Sequence, residues 1–202
     1  MARTAEISRI TNETDIFICL NIDGTGNAKL DYPVGFMSHM LNTFARHGLF
    51  DIEIRAKGDL EVDQHHLIED TGIVLGSCFS KALGDKKGTR RAGSCLFPMD
   101  ETLARAALDL SGRPFLFFGT GSPEITVPSD DGSGFQHDLM EDFWQAFVYS
   151  AGITLHLEII RGRSSHHKTE AIFKACARAL RDACETDNRA ADFIPSTKGV
   201  LA

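Results

Sequence analysis

HHLIE at His65–Glu69 returns as HHKTE at His166–Glu170, 101 residues later. Two adjacent histidines with a glutamate after them form a set of metal-ligand types, and each copy follows an apolar alternating run and opens a helical pattern. Residues three and four apart share a face of a helix, whereas neighbours are turned by about 100°. His65 and Glu69 can therefore meet one ion, as can His66 and Glu69, but adjacent histidines on a helix face apart. Each pair is expected to feed two different metal sites. Imidazole with carboxylate suits Mn, Fe, Co, Ni or Zn better than Mg or Ca.

The repeat extends outward from the motif. ETDIFICLNIDG (Glu13–Gly24) parallels ETLARAALDLSG (Glu101–Gly112) at an offset of 88. Both alternate apolar residues as half-buried strands do and end in a Gly turn. MLNTFARHGLFDIEIRAKG (Met40–Gly58) matches FWQAFVYSAGITLHLEIIRG (Phe143–Gly162). Each reads as an amphipathic helix, a glycine C-cap (Gly48, Gly152) and a strand. The half-unit is thus strands, helix, strand and a metal-bearing helix. This predicts an α+β fold, internally duplicated, with helices packed on one face of a mainly antiparallel sheet. The halves are expected at 1–93 and 94–202. GTGSPEITVPSDDGSG (Gly119–Gly134) reads as a loop with a short strand, and DFIPSTKGVLA as an ordered polar tail.

A length of 202 residues supports a sizeable core. A net charge of −7 argues against a nucleic-acid binder but leaves room for a local phosphate site. No apolar run has the length of a membrane span, and the first residues resemble neither a signal nor a transit peptide. The five cysteines form no CxxC pair; they read as reduced core fillers, so a cytoplasmic protein is expected.

His39 in GFMSHML and His137 in GFQHDLM sit near helix starts in the two halves. With the four motif histidines and two glutamates they divide into two sites of three His and one Glu, with room on each ion for substrate. His47, in the last turn of a helix where a cation is favoured, and His156, on a strand face, are poorer ligands. NIDGT (Asn21–Thr25) is a strand and Asp-Gly turn, because Asn21 cannot act as a carboxylate nucleophile. Arg90, Arg91, Arg113, Lys168, Lys174 and Lys198 are candidate phosphate contacts, of which Lys198 lies in PSTKG.

Long stretches of the chain resemble the imidazoleglycerol-phosphate dehydratase family: NETD, NIDGTG, HMLNTFARHGLFD, GDLEVDQHHLIEDTGIVLG, MDETLARAALDLSGRP, SSHHKTEAIFKACARALR and IPSTKGVL, in order from about Arg9 to Leu201. The resemblance implies a duplicated α+β fold. It also implies dehydration of imidazole-glycerol phosphate to imidazole-acetol phosphate in histidine biosynthesis, with two Mn2+ per active site. The implied metal ligands are His39, His65, His66, Glu69, His137, His166, His167 and Glu170. The implied substrate contacts are Glu13, His39, His47, His65, Glu69, Arg91, Arg113, His166, Lys174, Ser196, Thr197 and Lys198. Glu13 and Glu170 are the carboxylates considered for proton transfer. The family further implies a homo-oligomer, a cage of about 24 subunits with active sites between subunits.

Three features depart from the family pattern. Ser38 stands where an Asp usually precedes the first ligand histidine, Asn42 replaces a common Asp, and no phosphatase domain is fused, so one activity is expected. Losing a carboxylate beside a ligand weakens its orientation. Ser38→Asp is therefore expected to slow Mn2+ loss to a chelator up to about tenfold, and an unchanged release rate would remove the idea. Two other classes compete with this reading. A dimetal phosphoester hydrolase would need bridging carboxylates, and a ferritin-like metal store would need four long helices with Glu-x-x-His.

Overall fold

The computed structural model describes residues 2–129, 132 and 134–201; Asp130, Asp131 and Ser133 of the Gly119–Gly134 stretch lie outside the described residues. Two half-units follow one another with the same element order. The first is β1 (Thr4–Ile10), β2 (Thr14–Asn21), β3 (Ala28–Asp31), α1 (Gly35–Gly48), β4 (Asp51–Gly58) and α2 (His65–Leu83). The second is β5 (Ala92–Met99), β6 (Thr102–Asp109), β7 (Phe115–Thr120), α3 (Leu139–Ala151), β8 (Thr154–Arg161) and α4 (Ser165–Cys184). Residues 84–91 join them, so the expected division after residue 93 falls two residues into β5.

Each half builds a four-stranded sheet, ordered β1-β2-β4-β3 and β5-β6-β8-β7. Pairing is antiparallel except between β3 and β4 and between β7 and β8, which are parallel. Parallel neighbours need a crossover, and α1 and α3 supply it. The sheets are therefore mixed. The strand read into the Gly119–Gly134 loop lies earlier, in the apolar run FLFFGT (β7), which pairs with β8.

Alternation along the strands sets the layers. On β2, Thr14, Ile16, Ile18 and Leu20 face inward, and on β6 Thr102, Ala104, Ala106 and Leu108 do the same. Helices α2 and α4 lie on these inner faces, and the halves meet where α2 packs on α3 and α1 on α4. The centre is aromatic: Trp144 touches Phe143, Phe147 and Phe173, and Phe44 bridges to Phe79 and Trp144. The seam is close because of glycine. A Cβ at Gly72 would stand 2.4 Å from the Phe143 carbonyl oxygen, and one at Gly76 2.3 Å from that of Phe147.

One cap differs from expectation. Gly152 closes α3 in the left-handed region, but α1 closes on Leu49 (φ 56°), not on Gly48. Gly48 serves packing instead, since a Cβ there would lie 2.2 Å from the Phe50 ring. The cysteines are all unpaired thiols, and Cys78, Cys176 and Cys184 are buried.

Candidate active site

The repeat motifs open the first turns of α2 and α4, so their side chains project at the N-terminal ends of these helices. Ser164 caps α4 by accepting from the His167 backbone N–H at 3.3 Å. Because α1 crosses α4, His39 comes to His166 and Glu170. His166 Nε2 is 3.1 Å and His39 Nε2 3.5 Å from Glu170 Oε2, and all three ligand atoms fit within 4.8 Å of one another. This is a ready donor set for a divalent ion. Lys174 holds the other oxygen, Oε1, at 2.8 Å. Burial is the largest influence on Glu170 and pushes its carboxyl up, but Lys174, His39 and His166 together outweigh it and leave the group below the ordinary carboxylate range.

His65 pairs with Glu69 at 3.6 Å in the matching place on α2, and Asp142 of α3 approaches the other ring nitrogen at 3.9 Å. The neighbouring histidines face elsewhere, as helix geometry requires. The rings of His65 and His66 stand at 90°, those of His166 and His167 at 85°. His66 Nδ1 meets Asp59 at 3.0 Å, while its Nε2 lies 3.9 Å from Glu13. His167 Nδ1 meets Glu101 at 2.7 Å, and its Nε2 lies 3.9 Å from Asp100. Asp59, foremost by its hydrogen bond, raises the His66 pKa. The Ser164 N–H, followed by the His167 ring, holds the Glu101 carboxyl far below its usual range.

His137 does not join the exposed histidines. It is buried, its Nδ1 sits 2.9 Å from Thr169 Oγ1, and the rings of Phe36 and Phe135 flank it. Among the described residues, one subunit thus gathers three of the eight expected ligands at one point and assembles neither four-ligand set.

Apart from Glu13, His65 and Glu69 at the start of α2, the expected substrate contacts fall into two groups. His47 and Lys174 lie at the His39–His166–Glu170 end, both against the Phe97 ring. His47 does not follow the expectation of a cation at a helix end: burial, then Lys174 and Arg178, lower its pKa. Arg91, Arg113, Ser196, Thr197 and Lys198 line one cavity of about 410 Å3 with Val200 and Leu201. The Arg91 guanidinium holds Asp109 through Nε and Nη2 (2.7 and 2.9 Å) and the Pro195 carbonyl through Nη1 (2.8 Å). It fastens the tail and keeps two of its five N–H donors for an anion. Two candidates drop out. Lys168 is buried with Nζ on Thr126, and Arg90 pairs with Glu185 at 3.0 Å.

The two groups stand at opposite ends of α4. The Arg91 backbone N–H donates to the Ala183 carbonyl near the helix C-terminus, while Glu170 is in the second turn. About 13 residues at ~1.5 Å each separate them, or roughly 20 Å. Strand β5 gives a similar length, since Arg91 to Phe97 spans six residues at ~3.4 Å.

Asp59, Glu101, Asp142 and Asp109 are polar partners that motif reading passes over. Only Glu101 carried a signal, as the repeat counterpart of Glu13. Among the described residues no helix is long and apolar enough to cross a membrane.

Residues 33–180 match the family described as imidazoleglycerol-phosphate dehydratase. The chain is 52% identical to the imidazoleglycerol-phosphate dehydratase of Methylorubrum populi, over 98% of this chain and all of that one. It is 50% identical to that of Thermoanaerobacter pseudethanolicus with the same coverage. Crystal structures agree in fold. The Staphylococcus aureus enzyme gives a TM-score of 0.79 at 36% identity, covering 91% of this chain and 99% of that one. The Pyrococcus furiosus enzyme in complex with (S)-C348 gives 0.80 at 31%, covering 96% and 100%.

Proposed function

Because the chain belongs to the imidazoleglycerol-phosphate dehydratase family, and is thereby a dehydratase of histidine biosynthesis, we propose that its reaction depends on two Mn2+ per active site. The observation that carries this is the convergence of His39, His166 and Glu170 within 4.8 Å. His65, Glu69, His66, His167 and His137 are the further ligands of the proposal. When bound, Mn2+ would supply Lewis-acid stabilisation at the substrate imidazole and diol.

The remaining work belongs to side chains. Conversion of the glycerol to the acetol removes the hydroxyl beside the ring and a hydrogen from the next carbon, and the enol so formed becomes the ketone. Glu13, half-exposed at 3.9 Å from His66, is the group proposed to take and return the proton. Glu170, already bonded to Lys174 and His166, is the weaker candidate. Arg113, Lys198, Ser196, Thr197 and the remaining donors of Arg91 clamp the phosphate and fix the reacting carbons in place.

The substrate is short against the span between the two groups of one subunit. From ring to phosphorus run five bonds, at most about 7.5 Å, against the ~20 Å that separates cluster and tail cavity along α4. This supports a homo-oligomer, a cage of about 24 subunits, in which the tail of one copy meets the metal cluster of another. A cytoplasmic location fits the unpaired thiols.

The test is turnover of imidazole-glycerol phosphate by metal-stripped, assembled protein, with and without Mn2+. Ketone formed only with Mn2+ is the expected result. Equal turnover without metal would overturn metal dependence, and release of phosphate in place of ketone would point to a hydrolase.

A further inference from the structure

We propose that Asp59 and Glu101 are positioning residues that fix the tautomers of His66 and His167. The inference rests on the metal reading above only for the use to which the two rings are put.

In both halves the second histidine of the motif turns Nδ1 onto a carboxylate, at 3.0 Å from Asp59 and 2.7 Å from Glu101. An ionised carboxylate can only accept, so Nδ1 carries the hydrogen and, in the neutral ring, Nε2 presents its lone pair. That is the arrangement of a carboxylate–histidine–metal triad. The duplicated chain reaches it in two ways. Asp59 follows β4, where the second half has Arg163. Glu101 sits in the β5–β6 turn, where the first half has Glu13.

The consequence lies in what each glutamate has left to do. Glu101 Oε1 accepts from the backbone N–H groups of Arg163 (3.2 Å) and Ser164 (3.0 Å), while Oε2 takes the His167 ring. Both oxygens are committed. In the first half Asp59 has taken over the ring, and Glu13 stands instead at Nε2, the metal-facing side, at 3.9 Å. The half-sites therefore share an architecture but divide it differently: the turn glutamate orients the ring in the second half, and in the first it stands at Nε2, where the second half has Asp100.

The experiment reads ring tautomers in metal-free protein labelled with 15N-histidine, by magic-angle-spinning spectra, and Mn2+ affinity by the electron paramagnetic resonance of free Mn2+. Asp59→Ala is expected to remove the Nδ1–H signal of one ring. Glu101→Ala should remove that of another. Glu101→Gln, which keeps an oxygen for the two backbone N–H groups, guards against a variant that fails to fold. Its amide NH2 turns on Nδ1 and forces the other tautomer. Each change should weaken Mn2+ binding about ten- to hundredfold, while Glu13→Ala leaves the Nδ1–H signals of both rings at wild type. Unchanged tautomers in the Asp59 or Glu101 variants, or a lost signal in Glu13→Ala, would overturn the inference. The expected tautomer changes in the variants, with a wild-type protein that binds no Mn2+, would instead uphold the positioning roles and reject the metal reading.

Discussion

Glu13→Gln is expected to lower ketone formation by about 10²–10⁴-fold, the usual worth of a positioned acid–base group, while Mn2+ still binds. The substitution keeps shape and removes the charge and the capacity to take up and return a proton, putting an NH2 donor in place of one oxygen. Its surroundings should hold still, because the turn is fixed without help from the Glu13 side chain. Thr11 Oγ1 accepts from the backbone N–H groups of Glu13 and Thr14 at 3.1 and 2.9 Å. Thr14 Oγ1 in turn donates to Asp70, which is buried under an ion pair with Arg9. Steady-state turnover at saturating Mn2+ and substrate decides the matter. A rate within a few-fold of wild type would take Glu13 out of the chemistry and return attention to Glu170.

The second large effect concerns stability. Gly72→Ala and Gly76→Ala each add a methyl group to the face of α2 that meets α3. Helix propensity alone favours the change by about 1 kcal/mol per site. The seam opposes it, because the new carbons would stand 2.4 and 2.3 Å from backbone carbonyl oxygens that cannot rotate away. Close-packed interiors yield little, and such overpacking costs about 1–3 kcal/mol per site beyond what relaxation recovers. Repulsion wins, and the double variant should lose most, though not additively, since both sites share one interface. Denaturant unfolding of the assembled protein measures it. A double variant as stable as wild type would show that α2 and α3 can separate without penalty.

The duplication was legible because it lies in short-range patterns: alternation on β2 and β6, and HHxxE at two helix starts. The lining of the tail cavity was named residue by residue from IPSTKGV and the arginines near glycine turns, although their meeting in one cavity was not legible. What stayed hidden depends on crossing, not on sequence neighbourhood. That α1 packs on α4, bringing His39 to His166, follows from how two sheets share one core. His137 looked like its partner in the repeat, yet packing drew it under Phe36 and Phe135. Gly48 looked like a cap and is a packing site, because glycine answers to either demand. Asp59 was unreadable for a further reason: its role belongs to one half only, and a repeat-based reading favours what both halves share.

The length of α4 has a consequence in heredity. On the composite-site reading proposed above, a subunit carrying Glu170→Ala keeps a sound tail cavity, and one carrying Lys198→Ala keeps a sound His–Glu cluster. Either alone would assemble into an inactive particle. Made together in one cell, they would co-assemble on that reading, and about one composite site in four would join the sound cluster of the Lys198→Ala chain to the sound cavity of the Glu170→Ala chain. Two defective copies of the gene would then support growth without histidine where neither does singly. Such complementation between alleles is what the proposed arrangement allows, because the two ends of one substrate site come from different copies of the chain.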